Sequence, residues 1–446
     1  MNTKAALERP KLETALQRIM QQVFGNRILT ISMNYLPADA TNTFVFKDNM
    51  KGMPSRFAEF FKFQFNRIFR PSYFPALVLF CTCGVLVMSG CGGGQHGLGP
   101  GVLSGPPTTS PVPGSNYVPA GIASAIDSSN NTLYVTDATE LENGTFGTMY
   151  IVSGASNSMV SSLSAFNKPV AVDVNSHTHT VYVANAGDHT VSVVNEPSNT
   201  VVATIPIGNY PSAIAVNAVT NMVYVDNFVD GTVSVIDGAT NKVVHTIPSL
   251  GTGLDLITVD SQLNQIYVGS NQGYAEAISV INGATNRVTG TLNLKNAPQA
   301  LAADSNTQTL YAESNETNVT GVVSSSQIDV LNEASGTVTG RIPLPGFVNS
   351  TGMAVNPSTS LLYAANNSTG AVDIIKQFSV AGHVPYAAAG STVYSINVDP
   401  VTNVIYCIYS TGGNPNNTVQ VNGSANLAVQ VIDGQANTTL TNISLR

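Results

Sequence analysis

From about residue 119 onward, apolar and polar positions alternate in short runs that recur in groups of four. Within 210–249 the runs are Ala213–Val216, Met222–Val225, Thr232–Ile236 and Lys242–Ile247, rich in Val, Ile and Thr and parted by turn residues such as Asp237 and Gly238. Period-two alternation bounded by Asp, Asn and Gly predicts strands joined as antiparallel hairpins. The stretch 168–207 carries the same four runs and aligns with 210–249 without a gap over its first fifteen positions. One tyrosine marks each copy: Tyr134, Tyr182, Tyr224, Tyr267, Tyr311, Tyr363 and Tyr406, spaced by 48, 42, 43, 44, 52 and 43 residues. Seven residues before each stands Asp127, Asn175, Asn217, Asp260, Asp304, Asn356 or Asp399. The side chain of such a residue bonds backbone N–H groups just ahead and so sets a turn after the first strand.

Four strands per unit of this length, repeated seven times, predict an all-β fold. The expected architecture is a seven-bladed β-propeller of four-stranded antiparallel blades spanning 119–446. Its repeats fall at about 119–167, 168–209, 210–253, 254–296, 297–347, 348–390 and 391–446. Complete units at both ends predict a ring closed by face packing of blades one and seven, without strand exchange, unless the 100–118 region adds a strand.

Upstream the pattern changes. Residues 1–90 carry 11 basic and 5 acidic residues, whereas 91–446 carry 7 and 21. Arg56, Lys62, Arg67 and Arg70 precede an apolar run, and 71–90 is uncharged, the layout of an export signal (50–90). The run from Ala76 to Gly90, 15 residues, spans roughly 22 Å as a helix, short of the about 20 residues a bilayer core requires. Residues 1–49 read either as an extension or as the product of a mis-assigned start, with Met50 and Met53 as alternatives. Residues 91–118, rich in Gly, Pro, Ser and Thr, read as a tether. Of the four cysteines, Cys81 and Cys83 lie in the signal segment, which leaves no disulfide framework within a mature chain.

Two resemblances sharpen this. Met88-Ser89-Gly90-Cys91 resembles the lipobox of bacterial lipoproteins, with Met88 where Leu is usual, which implies acylation at Cys91 and a lipid-anchored, exported protein of the cell envelope. An uncleaved anchor or ordinary signal cleavage are the alternatives. Tyr224-Val-Asp-Asn227, Tyr182-Val-Ala-Asn185 and Tyr134-Val-Thr-Asp137, with Val235-Ile-Asp237 and Val431-Ile-Asp433, resemble the YVTN-type (YncE-like) repeats of bacterial and archaeal propellers. The likeness spans about 119–446 and weakens in copy six, at Ile374-Ile-Lys376, and in copy seven, where Cys407 replaces Val and reads as a buried small hydrophobe.

The candidate chemistry is sparse. Only 10% of residues are charged while 43% are hydrophobic, which excludes charge-driven disorder. The net charge of −8 gathers on the acidic propeller, so nucleic acid is not an expected partner. Insertions in copies one, five and seven, at about 137–148, 313–326 and 409–427, fall where second and third strands join, at the channel mouth. Long loops on a rigid scaffold are where binding resides. Glu140, Glu142, Phe146, Glu313, Glu316 and Tyr409 fall in them and form the expected binding face. His177 and His179 have metal-like spacing, but no third ligand with suitable spacing is near, and they fall on a turn opposite the long loops, so a surface pair is expected. Gly92, Gly94 and Gly97 match the dinucleotide fingerprint without its strand and helix. No catalytic elbow, covalent haem motif or Trp is present.

The expected function is a monomeric, non-catalytic binding or scaffold propeller, without cofactor or metal, recognising a protein or glycan of the envelope. Enzymatic activity stays open: the alternatives are a lactonase-like hydrolase, by likeness to other seven-bladed propellers, or an accessory subunit of a redox complex.

Overall fold

The computed structural model describes residues 121–138, 147–248, 250–251, 253–270, 277–317, 323–344, 352–387, 391–411 and 426–445, with the backbone of four strands upstream. The chain divides into two units, Met1–Thr108 and Thr109–Arg446. In the first, Ile31–Asn34, Thr43–Phe46, Ala76–Cys81 and Gly84–Ser89 form one sheet, so the described part of the apolar run is extended. No helix among the described residues is long and apolar enough to cross a membrane. Cys91 and the segment 91–118 lie outside the described residues.

The second unit is a ring of seven four-stranded antiparallel sheets, each built from strands consecutive in the chain. Blade one runs Ile122–Asp127, Thr132–Asp137, Gly147–Ser153 and Ser158–Phe166. Blade seven runs Thr392–Asp399, Val404–Thr411, Asn426–Asp433 and Thr438–Ser444. The first strand of each blade touches that of the next, and that of blade seven touches that of blade one, so the circuit closes.

Local sequence explains the hairpins. In every copy the Asp or Asn seven residues before the tyrosine accepts the N–H two residues on, at 2.8 Å for Ser129 on Asp127 and 3.1 Å for Asn306 on Asp304. The turn then needs one left-handed residue before the second strand: Asn131, His179, Asn221, Asn264, Gln308, Ser360 or Asn403, with φ between 49° and 57°. Asn is the side chain that best tolerates this region, and it fills four of the seven positions. A register shift between third and fourth strands recurs at the same place in all seven blades, for example between Val235 and Ile236. Such bulges increase the local twist that lets flat sheets pack radially.

The core consists of seven slabs, one per junction. Tyr134, Ile151 and Val172 belong to the slab between blades one and two; Tyr224, Val235 and Ile266 to that between three and four. The slab that closes the ring joins Ile122, Leu133 and Val152 of blade one to Tyr406, Leu427 and Val431 of blade seven. Polar contacts reinforce it: Ser124 donates to Ser395 at 2.8 Å, Asn397 donates to Ser124 at 2.5 Å, and Tyr406 donates to Asn131 at 2.7 Å.

Closure therefore rests on buried apolar contact between complete blades. Leu427→Ala, at a fully buried site of that slab, is expected to cost about 2–5 kcal/mol. Deleting 100–118 is expected to leave the melting temperature unchanged. Thermal unfolding of both variants checks this, and a large drop on deletion would mean that the segment supplies a strand.

Candidate functional site

Repeat tyrosines reach across their junctions. The Tyr406 hydroxyl lies where a Cβ on Gly154 of blade one would come within 2.2 Å. Tyr182 stands in the same way over Gly238, and Tyr224 over Gly283. This position, just after the third strand, is Gly in blades one, three, four and seven; in the first three the preceding tyrosine fills the space a side chain needs, and in blade seven Asn403 and Ile405 do. Beside it the junctions are laced by amides: Asn175 donates to Asn221 at 2.7 Å, Asn217 to Asn264 at 2.8 Å and Asn356 to Asn403 at 2.6 Å.

Three junctions depart from this pattern: blade six has Gln377 at the glycine position, and the other two gain acid. Between blades one and two the glycine becomes Glu196, the left-handed Asn becomes His179, and the facing residue is Asp127. Asp127 is fully buried and Glu196 is 7% exposed, while the His179 side chain is about half exposed. Nδ1 of His179 lies 3.3 Å from Oδ2 of Asp127 and 3.1 Å from Oε2 of Glu196. The remaining oxygens are held by the framework: Asp127 Oδ1 accepts the Ser129 N–H at 2.8 Å, and Glu196 Oε1 accepts Asn130 Nδ2 at 2.9 Å and the Tyr134 hydroxyl. The Glu196 and Asp127 carboxylates raise the imidazole pKa. Burial, and then the Asp127 carboxyl, raise that of Glu196. Burial acts to raise Asp127 too, but its hydrogen bonds, from the Glu196 carboxyl and Ser129 first, outweigh that and leave it lowered. The cluster thus keeps Asp127 ionised and the proton near Glu196 and His179.

Between blades four and five the same substitution occurs with Glu333 for glycine and Gln308 at the left-handed position, facing Asp260 and Tyr267. Here no imidazole shares the charge. Burial, then the neighbouring Asp260 and Asp304 carboxyls, push Glu333 up to about 9.

Other buried acids serve the scaffold. Asp226, two residues after its repeat tyrosine, accepts the Ser212 and Ala213 N–H groups at 3.1 and 2.7 Å and is pushed up to about 8, by burial first. Asp173 accepts the N–H of Val216 across the next junction at 2.7 Å and rises to about 6 through burial. Asp329 and Asp373 pair across strands with Arg341 and His383.

The residues expected to form the binding face are placed differently from one another. Glu313 and Tyr409 are buried in second strands, because Thr309–Thr317 and Val404–Thr411 extend into what the sequence suggests are loops. Glu313 occupies in blade five the position of Asp226 in blade three. Glu316 is on the same strand, its side chain outside the described residues, and Glu140, Glu142 and Phe146 also lie outside them. Cys407 is buried, as expected, and burial raises its thiol. Both histidines are exposed, as the surface-pair reading has it, but their partners differ. His177 is exposed and its Nδ1 meets the Ala218 carbonyl at 3.0 Å, whereas His179 joins two carboxylates. One of these comes from the preceding blade, 52 residues away, which local spacing does not reveal. The legible signal was Glu196 standing where four other copies have Gly.

No family model matches the chain, and no curated protein matches it. Among solved structures it is similar to a chain described as Kuenenia stuttgartiensis Hydrazine Synthase, at 17% identity and a TM-score of 0.56 over 73% of this chain and 99% of that chain. That likeness is one of fold, a propeller-like one.

Glu333 has a folded pKa raised above the unfolded value, so its contribution to stability is full at low pH and declines as pH rises from about 4.5 towards 9. The slope is at most about 1.4 kcal/mol per pH unit. Glu333→Gln, an isostere of the protonated acid, is expected to flatten the fall in melting temperature between pH 6 and 9. Parallel slopes in the two proteins would show that the carboxyl is ionised in the fold.

Proposed function

We propose that the protein is a non-catalytic binding or scaffold propeller of the YVTN type, exported and lipid-anchored at Cys91 in the cell envelope, that docks a protein partner on its rim. The observation that supports this reading is an apolar position repeated on neighbouring blades. The third residue of the outer strand is Val160, Val202, Val244 and Leu440 in blades one, two, three and seven, which are contiguous around the ring. These side chains are 58%, 58%, 51% and 51% exposed. The corresponding residues of blades four, five and six are Thr289, Thr339 and Ala381. Apolar side chains held outward on a rigid frame, amid neutral hydroxyls and amides, suit a protein surface, because covering them returns the free energy of removing apolar area from water.

The leader supports the address through its basic flank, uncharged run and lipobox-like end. A second reading, an accessory subunit of a redox complex, draws on the likeness to the hydrazine synthase chain and on fold analogy alone. A lactonase-like hydrolase would need its carboxylates or a metal at the channel mouth. The His179 cluster sits at the opposite ends of the strands.

In-cell crosslinking with mass spectrometry tests the proposal. Wild-type protein is expected to begin at an acylated Cys91 and to capture one dominant envelope protein. Substituting Thr for Val160, Val202, Val244 and Leu440, each change costing within about 0.5 kcal/mol at an exposed site, is expected to abolish that capture without unfolding the ring. Equal capture by the variant would move the contact away from the rim.

A further inference from the structure

We propose that Asp127, His179 and Glu196 form a binding site for a divalent transition-metal ion of the zinc class, at the junction of blades one and two. This goes beyond the rim-docking role and does not depend on it.

Geometry comes first. Asp127, His179 and Glu196 can each offer one donor atom, all within 4.8 Å of one another. Ligand atoms placed 2.0–2.1 Å from a tetrahedral ion stand about 3.3 Å apart. The separations of His179 Nδ1 from Asp127 Oδ2 and from Glu196 Oε2, 3.3 and 3.1 Å, already have about that length. An imidazole with two carboxylates suits zinc and its first-row neighbours better than calcium or magnesium, which prefer oxygen alone.

Electrostatics comes second. Asp127 Oδ2 and Glu196 Oε2 belong to side chains that are more than nine-tenths buried. Both face the single nitrogen Nδ1. Two buried carboxyl groups that meet at one nitrogen must share a proton or a cation, because an uncompensated buried charge is costly. A cation at the centre of the triangle serves all three atoms, with the imidazole turning from donor to lone-pair ligand.

The outer shell is also in place. Asn130 and the Tyr134 hydroxyl hold the far oxygen of Glu196, and the Ser129 N–H holds the far oxygen of Asp127, so each carboxylate is oriented with one oxygen free for the centre. The half-exposed imidazole leaves an entry path from solvent. Finally, the repeats supply an internal reference. The blade four–five junction keeps Asp260, Tyr267 and Glu333 but has Gln308 in place of the histidine. An amide is a poor transition-metal ligand, so that junction holds a proton where this one holds an ion.

The test uses full-length protein in detergent, stripped with chelator, and titrated with Zn²⁺ by calorimetry and with Co²⁺ by visible absorption. Wild type is expected to bind one equivalent, more weakly as pH falls and the imidazole protonates. His179→Gln and Glu196→Gly place at these positions the residues that blades five and three carry, so the fold is expected to accept them, with apo melting temperatures as the check. Each is expected to weaken binding by at least about 10-fold, and Tyr134→Phe, which removes only an outer-shell bond, by about 10-fold. His177→Ala and Glu333→Gly are expected to change nothing. Absence of binding by wild type at millimolar Zn²⁺ would overturn the proposal, as would undiminished binding by His179→Gln and Tyr134→Phe together.

Discussion

The ring depends on one repeated constraint: a tyrosine buried in one blade must seat its hydroxyl over the end of the next blade's third strand. Six of the seven are at most 1% exposed and Tyr311 is 8% exposed, so the contact is internal to the core everywhere. Where the hydroxyl occupies the volume of a Cβ, the next blade supplies Gly154, Gly238 or Gly283, and where it meets a carboxyl, Glu196 or Glu333. The apolar slabs lie around this contact, each drawing residues from two blades. No blade has a core of its own, so the unit of stability is the junction, as in other repeat folds.

Much of this architecture is readable in the chain because it is written seven times. The tyrosine spacing, the Asp or Asn seven residues earlier and the four β-type runs per copy each state one short-range rule, and repetition separates rule from accident. The turn bonds of Asp127, Asn175 and their counterparts follow directly from side-chain chemistry two residues long. The extended hairpin of blade five was not legible, because Glu313 and Glu316 are polar and read as loop. Burial of Glu313 inside a strand is decided by the neighbouring blade, and single-chain alternation carries no trace of that neighbour.

The same reasoning explains why the His179 cluster hides from local spacing. His177 and His179 look like the informative pair, yet Asp127 arrives from the preceding blade and Glu196 from the far hairpin of the same blade. In a propeller, chemistry that crosses a junction is separated by about one repeat length in sequence. The clue is a departure from the repeat itself. Glycine replaced by Glu196 or Glu333, and left-handed Asn replaced by His179 or Gln308, mark the two junctions where packing geometry has been given over to charge.

The bulge between third and fourth strands has a consequence for crowding. Among the described residues every blade ends in an outer strand with no fifth strand paired to it, so the ring displays seven open sheet edges there. An edge of this kind is a template for another chain, above all where Val202 or Val244 faces outward beside it. The bulge shifts register at the third residue of each outer strand and twists it. A straight edge from a neighbouring molecule can then pair with only part of its length. Seven small distortions thereby keep densely packed copies from zipping into continuous sheets, while the outward side chains stay accessible.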